Sequence, residues 1–104
     1  MVMKKDRVII TYKARTSLRS YIKYLKENVS EETAEHVRKG IIDTCKNLKN
    51  FSGYSQERYL EDEPKEYRSV TKWDYNIIYT VEKGEVRVLN IIQTSMHPKK
   101  RNDI

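Results

Sequence analysis

The chain is poor in most of what marks a secreted, membrane-bound or metal-built protein. Its single cysteine, Cys45, excludes an internal disulfide and a thiolate metal cluster, a usage that fits a reducing compartment. No apolar run approaches the roughly 20 residues that a helix needs to cross a bilayer. The stretch from Met1 to Arg7 is charged and lacks the apolar middle of a secretory signal, so the expected location is the cytoplasm. With three glycines and two prolines in 104 residues, there is no low-complexity linker and no repeat. One domain spanning 1–104, with a short basic C-terminal tail, is the expectation. Acidic residues do cluster at Glu61, Asp62 and Glu63, but without interleaved ligands at metal-binding spacing. No metal and no cofactor are expected.

What is abundant is charge. Lysine and arginine number 21 against 15 aspartates and glutamates, giving a formal net charge of +6, and 35% of residues are charged. Such a balance suits a polyanionic partner, nucleic acid first among them. The basic face of the first predicted helix, with Lys13, Arg15, Arg19, Lys23 and Lys26, reads equally as a solvated surface or as a seat for an acidic segment.

Hydrophobic periodicity orders the chain. Arg7 to Tyr12 is β-branched and alternating, which predicts a short strand. Ala14, Leu18, Tyr21, Ile22 and Leu25 then fall on one helical stripe, predicting a helix over 14–27. Ser30 is placed to cap a second helix, with Glu31 and Glu32 suiting its N-terminus. That helix carries Ala34, Val37, Ile41, Cys45 and Leu48 on one side and is expected to end near Asn50. Gly40 inside it costs about 1 kcal/mol relative to alanine. Its two readings are a close contact with a neighbouring element or a tolerated glycine. His36 lies off the apolar stripe and is expected to be exposed, without a role.

Residues 51–66 lack periodicity and are expected to form a loop. Three strand-like runs follow, Tyr67–Lys72, Tyr75–Val81 and Glu85–Gln93, parted by Trp73-Asp74 and by Glu82-Lys83-Gly84. The fold class is therefore α+β: an N-terminal strand, an antiparallel helical hairpin and a three-stranded antiparallel meander (β-α-α-β-β-β). The helical pair would cover one face of the sheet.

Three segments, in this order, carry a family resemblance. RVIITYKARTSLRSYIKYL at the start resembles the first strand and helix of ParE-like toxins. YRSVTKWDYNIIYTV, residues 67–81, is similar to the tyrosine–arginine strand, tight turn and following strand of that group. VRVLNIIQTSMHPKK, residues 86–100, resembles the last strand and its basic extension. The chain is thus similar to the RelE/ParE superfamily of bacterial type II toxin–antitoxin (plasmid stabilisation) systems. The resemblance implies a growth-arresting toxin and a cognate antitoxin as partner. It also implies one of two targets, DNA gyrase for a ParE-like member or the ribosome with its mRNA for a RelE-like one. A non-toxic member serving as a binding module is a third reading.

Whether the chain is an enzyme depends on the branch. A RelE-like, metal-independent mRNA endonuclease needs a proton donor or acceptor and cations for the charged transition state. His97, Arg68 and Lys99 are the candidates, His97 being the one whose ordinary pKa suits proton transfer near neutrality. Lys72, Trp73, Tyr75, Lys100 and Arg101 are candidates for contact with substrate or target. Arg15, Arg19 and Lys23 are the candidates for antitoxin binding. RelE-like nucleases usually place an arginine where this chain has Asn76. Asparagine cannot neutralise a developing dianion, and that departure, with the long helical hairpin, favours the gyrase-directed branch.

Overall fold

The structure is a computed structural model that describes residues 7–50, 67–82 and 84–94. The predicted loop over 51–66 and the tail candidates His97, Lys99, Lys100 and Arg101 lie outside the described residues. Six elements are present: β1 (Arg7–Ile10), α1 (Tyr12–Asn28), α2 (Glu31–Asn47), β2 (Arg68–Lys72), β3 (Tyr75–Glu82) and β4 (Glu85–Gln93). The predicted order is the observed one.

Capping explains where the helices begin. The first strand stops two residues short of Tyr12 because Thr11 caps α1, its Oγ1 accepting from the Ala14 N–H at 3.3 Å. The same hydroxyl faces the Val88 and Leu89 carbonyls at 2.8 and 3.1 Å, so one side chain ties the helix start to β4. Ser30 caps α2 by accepting from the Thr33 N–H at 3.0 Å, and Glu31 and Glu32 occupy its first turn. The second helix ends at Asn47, and residues 48–50 continue as a turn.

The sheet is mixed, with strand order β1-β4-β3-β2. β2, β3 and β4 form the antiparallel meander, and β1 joins it by pairing in parallel with β4. The β3–β4 register shifts between Ile78, opposite Asn90, and Tyr79, opposite Val88, leaving Leu89 as an extra residue in β4. Gly84 closes the β3–β4 hairpin at φ 67°, a backbone conformation that glycine adopts without steric cost. Glu82, expected in that turn, extends β3 and pairs with Glu85.

One core lies between the helical hairpin and the sheet. Ala14, Leu18 and Ile22 of α1 and Ala34, Ile41 and Cys45 of α2 meet Tyr75, Ile77 and Tyr79 of β3 and Val86, Val88 and Ile91 of β4. Burying a side chain such as Ile41 contributes about 1.5–3 kcal/mol. Cys45 belongs to this core, and burial pushes its thiol up to about 12, so it is a small packing residue and not a nucleophile. The other face of the sheet holds a smaller cluster of Ile78 and Ile92 with Tyr67.

Candidate functional site

The strand register sorts the candidates by sheet face. Arg68, Val70 and Lys72 stand opposite Tyr79, Ile77 and Tyr75, residues of the helix-covered face. Arg68 and Lys72 therefore project to the helical side. Asn76 points the other way, paired with Ile92 and Thr71, and accepts from the Thr71 hydroxyl at 3.3 Å. Arg68 and the position where RelE-like nucleases carry arginine thus occupy opposite faces. Tyr75 is 7% exposed and its ring packs against Tyr21 at 5.3 Å between centroids. Burial raises its phenol above the usual value, with Asp74 and Tyr21 adding to the effect, so Tyr75 stays protonated.

Trp73 occupies a different environment. With Asp74 it makes the two-residue turn between β2 and β3, since Lys72 pairs with Tyr75. Its φ is 53°, a left-handed conformation that costs an aromatic residue about 1–2 kcal/mol. The indole is held from several sides. Its outer edge lies so close to Gly40 that a Cβ there would stand 2.5 Å from Trp73 Cζ3. The His36 ring packs at 5.1 Å between centroids, tilted by 39°, and Lys72 Nζ lies 4.5 Å from the ring centroid. Yet 47% of Trp73 remains exposed. Gly40 is thus a contact glycine, the first of its two readings. His36 is exposed as expected but is not without a partner. Sequence reasoning missed that contact, although His36 and Gly40 share a helix face at i, i+4 spacing.

The antitoxin candidates divide. Arg15 and Arg19 line a groove of about 350 Å³ between the helical hairpin and β1, together with Lys26 and Arg38. Its floor is apolar: Ile10, Leu18, Ile22 and Ile42. Lys23 is exposed on α1 but does not line the groove. Arg15 Nε donates to the Ile10 carbonyl at 3.0 Å, which anchors the side chain at the groove end beside β1. Arg38 pairs with Glu35 on the exposed surface, an interaction weak enough to be exchanged for another carboxylate.

Among the described residues no group of histidine, cysteine and carboxylate side chains is arranged to hold a metal. No helix among them is long and apolar enough to cross a membrane.

Comparison with known families fits this architecture. Residues 8–98 match the family described as the ParE toxin of the type II toxin–antitoxin system parDE. The chain belongs to the ParE toxin family. A solved structure described as a chromosomal ParDE toxin–antitoxin system from P. aeruginosa superposes with a TM-score of 0.74 at 18% identity. That match covers 89% of this chain and all of the other. No curated protein matches the sequence. As a ParE-family toxin of the RelE/ParE superfamily, the chain is one half of a toxin–antitoxin pair. The β-α-α-β-β-β order, read from periodicity, is the order of this fold.

Proposed function

We propose that this ParE-family toxin arrests growth by inhibiting DNA gyrase and is silenced by an acidic, amphipathic segment of its antitoxin laid in the α1–α2–β1 groove. The observation that carries the antitoxin reading is the groove itself, an apolar floor rimmed by Arg15, Arg19, Lys26 and Arg38. A helix with apolar residues on one side and carboxylates at its flanks complements both parts. Lys23, on the same helix surface, extends the positive field toward the partner. Electrostatic attraction of this kind speeds association, and it weakens as salt rises.

Two features support gyrase over mRNA as the target. The family match is to ParE, and Asn76 is buried on the sheet face away from Arg68 and Lys72. A metal-independent nuclease needs its cations and its proton-transfer group around one phosphate. Trp73 and Lys72, with Lys100 and Arg101 of the tail, are the residues proposed to face the target. Tyr75 supports them from within the core.

Expression of the toxin with parallel readout of plasmid supercoiling and transcript ends tests the proposal. Loss of gyrase supercoiling with intact transcripts is the expected result. Codon-spaced cuts in translated mRNA, with gyrase unaffected, would overturn it and direct attention to His97, Arg68 and Lys99. No arrest of any kind would favour a non-toxic binding module. Reversing charge with Arg15→Glu and Arg19→Glu should free the toxin from its antitoxin without changing its effect on gyrase.

A further inference from the structure

A second cationic surface lies where the C-terminal half of α2 meets the β2–β3 turn. It is an open basin of about 530 Å³ walled by Lys46, Lys49 and Lys72 with Thr44, Asn47 and Asn50. Three observations distinguish it from the groove on α1.

The first is the charge itself. None of the three lysines pairs with a carboxylate among the described residues. The macrodipole of α2 accounts for Lys46 in its last turn. It also favours Lys49 just past the helix end, but it does not account for Lys72, which comes from a strand. Asp43 is the only carboxylate on the basin wall among the described residues.

The second is the lining. The α1 groove offers four aliphatic side chains, whereas the basin offers amides and ammonium groups beside one carboxylate, the Thr44 hydroxyl being committed to the Gly40 carbonyl at 2.8 Å. A protein segment gains its affinity by burying apolar anchors, and apart from Trp73 at its rim the basin is lined by no aliphatic or aromatic side chain among the described residues. A phosphodiester backbone needs what the basin does have, point charges and hydrogen-bond donors.

The third is the aromatic at the rim. Trp73 is half exposed and seated on Gly40, so its ring is already ordered. Lys72 Nζ covers the indole at 4.5 Å on a flexible stem. When the ammonium moves to a phosphate, that face is free for a nucleobase, and one cation–π contact is exchanged for a stack and a charge pair.

From these observations we infer that the basin binds single-stranded nucleic acid, its phosphates on Lys46, Lys49 and Lys72 and one base against Trp73. The inference shares Lys72 and Trp73 with the target-facing surface proposed above, and its test reads nucleic-acid binding directly, so its failure is distinguishable from failure of the gyrase reading.

Trp73 is the only tryptophan in the chain, so its emission reports on this site alone. The full chain is titrated with oligouridine and with oligothymidine of about eight nucleotides. Saturable quenching is expected, with log K falling against log salt at a slope of about −2, the value for three phosphate contacts on a single strand. Binding of either strand supports the inference, and the ratio of the two affinities assigns RNA or DNA. The triple variant Lys46→Ala, Lys49→Ala, Lys72→Ala should weaken binding about tenfold or more and flatten the salt slope, while the protein still unfolds cooperatively at a modestly lower temperature, since the Lys46 dipole and Lys72 cation–π contributions are lost. The control pair Arg15→Ala, Arg19→Ala should leave the titration unaltered. Absence of quenching would overturn the inference. So would affinity that survives the triple variant, or equal binding of polyglutamate, which would mark a surface for acidic protein.

Discussion

Trp73 lies over Gly40, its ring filling the space that a side chain on the helix would need. The contact joins the middle of α2 to the β2–β3 turn. It explains a glycine that helix propensity alone disfavours, and it orders an aromatic residue on the surface.

Replacing Gly40 by alanine sets two effects against each other. Alanine favours the helix by about 1 kcal/mol, while its Cβ takes the place of the indole edge. Because the colliding atoms are the outer end of a side chain, the ring can leave at modest cost. The expected outcome is a shift of tryptophan emission to longer wavelength, with stability within about 1 kcal/mol of the parent. Unchanged emission would show that the ring does not depend on this seat.

The left-handed backbone of Trp73 yields a comparison free of its packing. Trp73→Gly and Trp73→Ala both remove the indole, but only alanine retains a Cβ at φ 53°. The glycine variant should be the more stable by about 1 kcal/mol in urea unfolding, against the usual entropic preference. Equal stability would mean that the turn relaxes once the ring is gone.

Thr11 serves the α1 cap and the β4 carbonyls with one hydroxyl. Thr11→Ala should cost about 1–2 kcal/mol, measured by denaturant unfolding. Thr11→Ser should recover most of that loss, because the hydroxyl is what both contacts use. If serine fared no better than alanine, the methyl group and not the hydrogen bonds would carry the effect.

Thr80 Oγ1 is buried in β3 and has no hydrogen-bond partner among the described residues. Thr80→Val keeps the branched shape and removes the unsatisfied hydroxyl. A gain of about 1 kcal/mol in unfolding free energy is expected, since an unpaired buried hydroxyl costs that much or more. A loss would reveal a partner that the hydroxyl does satisfy.

Acid stability should depend in part on Glu85. A hydrogen bond from Arg87, and then one from Arg7, holds its carboxyl below the usual value. A carboxylate lowered on folding stabilises the native state above its unfolded pKa of about 4.3, and that contribution is lost as pH falls through the folded value. Glu85→Gln should therefore lower stability at neutral pH and lessen its dependence on pH in the acid limb. Parallel curves for the two proteins from neutral pH through the acid limb would rule this out.

Much of the fold was legible in the sequence because the relevant signals are local. Alternation marked β1, strand-like runs parted by turn residues marked β2 to β4, the stripe from Ala14 to Leu25 marked α1, and Ser30 with its acidic neighbours marked the start of α2. Thr11 was less visible, since a β-branched residue after a strand reads as more strand until its hydroxyl is seen capping a helix. The charge on α1 was also legible, but not which cations share an apolar floor.

By itself the sequence determined the number, type and order of the elements, the covered faces of the helices and the excess of positive charge. These follow from side-chain periodicity and composition, which are properties of neighbouring residues. Only the tertiary structure decided that β1 pairs in parallel with β4, that Asn76 and Arg68 face opposite ways, and that His36, Gly40 and Trp73 meet. Those relationships join residues far apart in the chain. They depend on which strand edges pair and where the helical hairpin settles on the sheet, and neither choice leaves a periodic mark in the sequence.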